Sequence, residues 1–133
     1  MTLHLVRGCP GSGKSTFAKK TFQCCILEND QMQMVDGEYC WSPEGTKAAI
    51  ALVRRIAEMI LQNGADVCVC NTFTKKRFVE GFRQLAQKYN ADFKVWRCIG
   101  NFQNVHNVPA ATLKAMHDGF ETWVGETIVD PSK

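Results

Sequence analysis

Leu3-His4-Leu5-Val6-Arg7-Gly8-Cys9-Pro10-Gly11-Ser12-Gly13-Lys14-Ser15-Thr16 is the stretch that decides the fold. Its apolar start predicts a buried strand over about Thr2 to Arg7, and from Gly8 onward it satisfies G-x-x-x-x-G-K-[ST] in full. Helix-forming residues follow, so the pattern lies between a strand and a helix, the setting in which it binds phosphate. Glycines at 8, 11 and 13 let the backbone turn tightly and approach a polyphosphate with no Cβ in the way, while successive N–H groups converge into an anion nest. Lys14 adds a full charge for the β- and γ-phosphates, Ser15 offers a hydroxyl to Mg²⁺, and the helix starting there points its positive end at the anion. The candidate phosphate-binding residues are Gly8, Pro10, Gly11, Ser12, Gly13, Lys14, Ser15 and Thr16, with Ser15 toward the metal.

The surrounding chain sets the frame. Its 133 residues, 45% apolar, suffice for one core and predict a single domain over 1–133. A net charge of +3 suits an anionic substrate but falls short of a protein that coats nucleic acid. No run approaches 18 apolar residues and no basic, apolar leader precedes the first strand, so a cytoplasmic protein that does not span a membrane is expected. Seven cysteines occur without a C-x-x-C pair, which argues against zinc and for small buried side chains in a reducing compartment. Cys9, inside the loop, is the one expected to meet oxidants.

Downstream, the pattern alternates strand and helix. A first helix is expected over Lys14 to Phe22, and the short apolar run Cys24-Cys25-Ile26-Leu27 reads as a buried strand. That strand delivers Glu28-Asn29-Asp30 to the carboxyl edge of a parallel sheet, where ligands bind. Residues 32–40 read as a surface excursion around the Asp36-Gly37 turn. Ser42-Pro43-Glu44 then predicts a capped helix start, with Ala48, Leu52, Ile56, Met59 and Ile60 on its buried stripe and a stop at Asn63-Gly64. Val67 to Cys70 is a third strand. A helix from Lys75 to Tyr89, capped by Thr74, buries Phe78, Phe82, Leu85 and Ala86. Lys75, Lys76 and Arg77 oppose the dipole of that helix, and either an anionic ligand or a chance cluster accounts for them. Residues 93–99 form a fourth strand, 101–107 a polar loop placed to act as a lid, and Val108-Pro109 opens a last helix burying Leu113, Met116 and Phe120. The tail from Gly125 to Lys133 is expected to fray.

Taken together, Gly8 to Thr16, Leu27-Glu28-Asn29-Asp30, Asp36-Gly37-x-Tyr39, Asn71-Thr72 after an apolar strand, and Asn104-x-His106-x-Val108-Pro109 resemble the kinase domain of phage polynucleotide kinase and its small P-loop relatives. The resemblance spans nearly the whole chain. It implies an α/β three-layer P-loop NTPase fold with a small parallel sheet of about four strands in the order 2-3-1-4, flanked by helices. It also implies ATP with Mg²⁺ on the loop, a hydroxyl acceptor, first of all a polynucleotide 5′-hydroxyl end, and Asp30 as general base beside Lys14. Phosphoryl transfer requires those same roles: cations on the phosphoryl oxygens and a carboxylate for the acceptor's proton.

The chain departs from its apparent relatives at points that bear on activity. After the third strand, where relatives carry an acid, Cys70-Asn71-Thr72 supplies only amide and hydroxyl groups. Gln33 stands where the phage enzyme has an arginine, and Gln103 replaces the lid arginine. His106 either substitutes weakly or bonds within its loop. Arg97, the Lys75-Lys76-Arg77 cluster or a partner's cation are the replacements left to the chain. A weak kinase whose rate rises with Gln103→Arg is expected. A kinase of a small-molecule hydroxyl, or a regulatory nucleotide-binding module, is the alternative; Asn71, Thr72, Lys75, Arg97 and His106 are the candidate substrate-binding residues.

Overall fold

The computed structural model describes residues 1–29, 42–102 and 108–133, together with the backbone of 34–35 and 38–39. Strand β1 (Thr2–Arg7) enters the loop, and α1 (Lys14–Thr21) leaves it. There follow β2 (Cys25–Glu28), β3 (Met34–Val35), β4 (Glu38–Tyr39), α2 (Pro43–Gln62), β5 (Val67–Asn71), α3 (Lys76–Lys88), β6 (Asp92–Cys98), α4 (Ala110–Asp118) and β7 (Thr127–Val129).

Five strands form one parallel sheet in the order β2-β5-β1-β6-β7. Numbered along the chain, its strands run 2-3-1-4-5, so the expected order holds with one strand added at the edge. That strand is β7. The tail does not fray, because Thr127, Ile128 and Val129 pair with Trp96, Arg97 and Cys98. Three residues are too few to announce a strand by period, and the paired edge of β6 supplies the missing condition. Residues 34–35 and 38–39 form a two-stranded antiparallel ribbon around the Asp36-Gly37 turn signal, where only an excursion was expected.

Parallel strands covered on both faces require apolar residues throughout, and the two cores show how that is met. On one face Leu3, Leu5, Val67, Val69 and Val95 pack with Val53, Ala57 and Leu61 of α2 and Val79, Phe82 and Leu85 of α3. On the other, Val6, Cys68, Cys70 and Cys98 pack with Ala18 of α1 and the half-buried rings of Phe17, Phe22 and Trp96. Helices on both faces make the three layers.

The buried stripe of α2 is Ala49, Val53, Ala57 and Leu61, one residue out of phase with the expected one. Ala48 is exposed, Leu52 and Met59 are about half exposed, and only Ile56 and Ile60 of the expected set touch the core. The helix is apolar on more than one side, and the face carrying Ala49, Val53, Ala57 and Leu61 is the one turned to the sheet. Ser42 caps it as expected, its Oγ accepting from Gly45 N at 2.9 Å. In α3, Val79 replaces Phe78 in the buried stripe, and Phe78 is exposed beneath Arg77. Leu113, Met116 and Phe120 are half-buried rather than buried, since α4 contributes no fully buried residue.

Candidate active site

The loop is held in shape from three sides. Gly13 caps α1 with φ 90°, a conformation open to glycine at little cost, and a Cβ there would lie 2.6 Å from the Phe102 ring. At Gly8 a Cβ would lie 2.7 Å from Cys98 O, so β6 packs against the loop too closely for any side chain. Backbone bonds complete the frame: Gly8 N donates to Thr72 O (3.2 Å), Gly100 N to Ser12 O (3.0 Å) and Phe102 N to Gly11 O (2.8 Å). The exits of β5 and β6 thus position the nest, and Asn71 and Thr72 are brought directly beside it. Asn71 orients that exit by accepting from Thr72 N at 2.8 Å.

Lys14 folds over the loop, its Nζ donating to Gly8 O at 3.0 Å and Cys9 O at 3.1 Å. Ser15 Oγ donates to Glu28 Oε1, which joins the first turn of α1 to the end of β2. A hydroxyl and a carboxylate in contact are the hard oxygen donors that Mg²⁺ takes, so Ser15 and Glu28 fit that ion. Glu28 therefore reaches the loop as the strand-exit reading expects, next to Cys70 of β5. Asp30, the expected base, and His106 of the expected lid lie outside the described residues, as do Gln33 and Gln103. Thr16 is exposed on the first turn of α1.

Between the loop and α4 opens a cavity of about 370 Å³, lined by Gly8 to Ser12, Arg97 to Phe102, Leu113, His117 and Phe120. The expected contact residue Arg97 belongs to it; Lys75 does not. Instead Lys75 Nζ donates to Gly119 O at 2.8 Å, and Glu121 accepts from Lys76 N at 2.8 Å. The cationic turn thus has a carboxylate of the chain itself, which caps the helix where Thr74 was expected to. The bond from Lys76 N, and after it the cations of the turn, hold the Glu121 carboxyl below its ordinary pKa. Cys9 is buried, contrary to the expectation of an exposed thiol, and burial raises its pKa; burial likewise pushes Cys98 up to about 12. Both thiols stay protonated at neutral pH and are poor nucleophiles.

Several site residues escaped the sequence reading. Arg7, the last residue of β1, is fully buried, and its Nε and Nη2 donate to Phe73 O at 3.1 and 2.6 Å. Phe73 adopts φ 45°, a left-handed conformation that costs a bulky residue energy and is held here by that guanidinium. Glu126 answers Arg7, and Pro131 packs over Gly13 and Gly100. An arginine ending an otherwise apolar strand was the only sequence signal of this arrangement.

One protein family, described as an AAA domain, matches residues 3–99. The chain belongs to that family. As an AAA domain it is 32% identical, over 133 residues, to an uncharacterized protein of Pasteurella multocida (strain Pm70), with 87% of this chain and 74% of that one covered. The AAA domain shares its fold with a gluconokinase from Sinorhizobium meliloti 1021 (TM-score 0.68, 14% identity, 99% of this chain and 83% of that one). It shares it also with a chain of the Pnkp1/Rnl/Hen1 RNA repair complex (TM-score 0.62, 23% identity, 98% of this chain), of which it spans only 41%. A Chloroflexus aurantiacus j-10-fl structure matches at TM-score 0.63 with 24% identity over 74% of this chain, which spans 59% of that one. The fold is that of a P-loop kinase-like domain. No described helix is long and apolar enough to cross a membrane.

Proposed function

We propose that this AAA domain is an ATP-dependent kinase that transfers the γ-phosphoryl group to a hydroxyl, with a polynucleotide 5′-hydroxyl end as the favoured acceptor. The observation that carries the reading is the pairing of Lys14 and Ser15 on a braced glycine loop with a carboxylate from the end of β2. The acceptor oxygen forms a bond to the γ-phosphorus while the bond to the β,γ-bridging oxygen breaks, ADP keeps that electron pair, and the proton passes to the carboxylate of Asp30. Bound at Ser15 and Glu28, Mg²⁺ would supply charge neutralisation for the phosphates. Lys14 offsets further charge, and the N–H groups of the nest orient the chain of phosphates.

Support for a nucleic-acid end comes from the motif order shared with polynucleotide kinases and from the fold likeness to a member of an RNA repair complex. A gluconokinase with the same fold shows that fold alone does not select the acceptor. Incubation with labelled ATP and a panel of 5′-hydroxyl DNA, RNA and tRNA ends, alongside sugars, tests the assignment. Label on a 5′ end is expected; label on a sugar alone moves the assignment to small molecules, and ATP binding without transfer to any acceptor leaves a nucleotide-binding module.

A further inference from the structure

Arg7 closes β1 immediately before Gly8, and its side chain is fully removed from water. Two groups fix the guanidinium: Glu126 Oε1 accepts from Nη1 at 2.9 Å, and the Phe120 ring is centred 4.4 Å from Cζ. The remaining donors turn to the exit of β5, where Nε and Nη2 both reach Phe73 O, at 3.1 and 2.6 Å. Beside them the main chain makes the same crossing, Gly8 N donating to Thr72 O at 3.2 Å. Residues 7 and 8 are thus tied to residues 73 and 72, the first pair by a side chain and the second by backbone.

The carbonyl that Arg7 takes belongs to a strained residue. Phe73 has φ 45°, while its side chain is buried and its ring packs edge-on against Phe82 in the core. Such a backbone is costly for a bulky side chain and persists only where the surroundings enforce it. Two donors from one planar, permanently charged fork enforce it here, which the single compact ammonium of a lysine could not reproduce. With the ring anchored in the core, φ of Phe73 sets the direction of the Thr72 carbonyl. Relaxation of that angle would therefore turn the acceptor away from Gly8 N.

We infer that Arg7 is a positioning residue for the phosphate loop: through Phe73 it keeps the Thr72 carbonyl facing Gly8 N, so the nest is formed before a nucleotide arrives. The effect on nucleotide rests on the kinase reading. The tie between the two strand exits does not. A loop that holds its binding shape only part of the time binds more weakly by that fraction, yet is unaltered once occupied. ATP and ADP should therefore suffer alike, and turnover at saturating ATP should not.

The test compares the wild type with Arg7→Met, in which Glu126 keeps Arg97 as an ion partner at 3.6 Å, and with Arg7→Lys. Leu61→Ala, which opens a cavity under α2 and touches no wall of the site, serves as a control for lost stability. Urea unfolding ranks the four proteins, calorimetry gives Kd for ATP and ADP, and KM and kcat are measured with a 5′-hydroxyl RNA end. Exchange of the Gly8 amide is followed by NMR against that of Leu5 in the same strand. Arg7→Met is expected to raise Kd for both nucleotides and KM for ATP by about fivefold to a hundredfold, to leave kcat near the wild-type value, and to quicken Gly8 exchange relative to Leu5. Arg7→Lys should show the same pattern in smaller degree, and Leu61→Ala should lower stability alone. Wild-type Gly8 exchange or wild-type nucleotide affinity in a folded Arg7→Met overturns the inference; if that variant does not fold, the same results in Arg7→Lys do so. A rise in Kd for Leu61→Ala as large as that for Arg7→Met also overturns it, because lost stability then accounts for the effect. If the wild type binds no nucleotide, the kinase reading fails and Gly8 exchange decides the tie: quickening in Arg7→Met upholds it, and no change refutes it.

Discussion

Arg7 Nη1 and Glu126 Oε1, 119 residues apart in the chain, meet at 2.9 Å with both side chains almost wholly removed from water. Burial pushes the Arg7 guanidinium below its ordinary pKa, and the bond to Glu126 pushes it back. Glu126 also accepts from Trp123 N at 3.1 Å, so the carboxylate ties the turn before β7 to the start of the phosphate loop.

Removing that carboxylate strands a buried charge. Glu126→Ala is expected to cost about 3–5 kcal/mol, whereas Arg7→Met with Glu126→Leu, which removes both charges, should come closer to the wild type. Urea unfolding of the two variants measures this, and equal losses in both would show that the pair is not the source.

Lys14→Ala is expected to leave the melting temperature nearly unchanged and to weaken ATP binding by about tenfold to a hundredfold, the effect of one charged hydrogen-bonding group on phosphate. Its ammonium bonds two carbonyls of the half-exposed loop and packs into neither core. Calorimetry with ATP reads the effect, and an undiminished affinity would remove the loop from the site.

Asp30→Asn separates binding from chemistry. The amide fills the same volume but accepts a proton very poorly, so transfer should fall by about 10² to 10⁴ while ATP affinity stays near the wild-type value. Single-turnover rates with the same 5′-hydroxyl substrate provide the comparison. Parental rates would exclude Asp30 as the base.

His4, on the same strand as Arg7, gives a pH dependence. Its pKa is lowered, first by burial, against an upward pull from Asp66 and with a smaller further lowering from Lys94; the ring stacks on Phe22 and its Nδ1 accepts from Trp96 Nε1 at 3.2 Å. The unfolded chain therefore takes up the proton first. Stability from neutral His4 is complete above the unfolded pKa of about 6.5 and declines as the pH falls from there through the lower native value. Urea midpoints at pH 7.5 and 5 should drop more in the wild type than in His4→Gln, which keeps an acceptor for Trp96 without titrating there. Equal drops would assign the acid sensitivity to other groups.

What the sequence determined by itself is local. A strand, a glycine pattern and a helix start lie within fifteen residues of one another, and the backbone bonds and dihedral preferences that shape such a loop act over that same range. Element order and type followed for the same reason, because the apolar run of each strand and the cap of α2 are written in consecutive residues. Tertiary structure decided what depends on partners distant in sequence. The phase of α2 turned on which side chains could approach the sheet, and β7 exists because the edge of β6 offered hydrogen bonds to a segment too short to be a strand alone. Arg7 reads as an oddity in an apolar strand until Glu126 is folded against it. The Lys75-Lys76-Arg77 turn reads as awaiting an anionic ligand until the Glu121 carboxylate accepts from Lys76 N. Polar groups are satisfied by geometry in three dimensions, and a carboxylate 119 residues away leaves no mark at the arginine whose charge it answers, nor one 45 residues away at the helix turn whose N–H it takes.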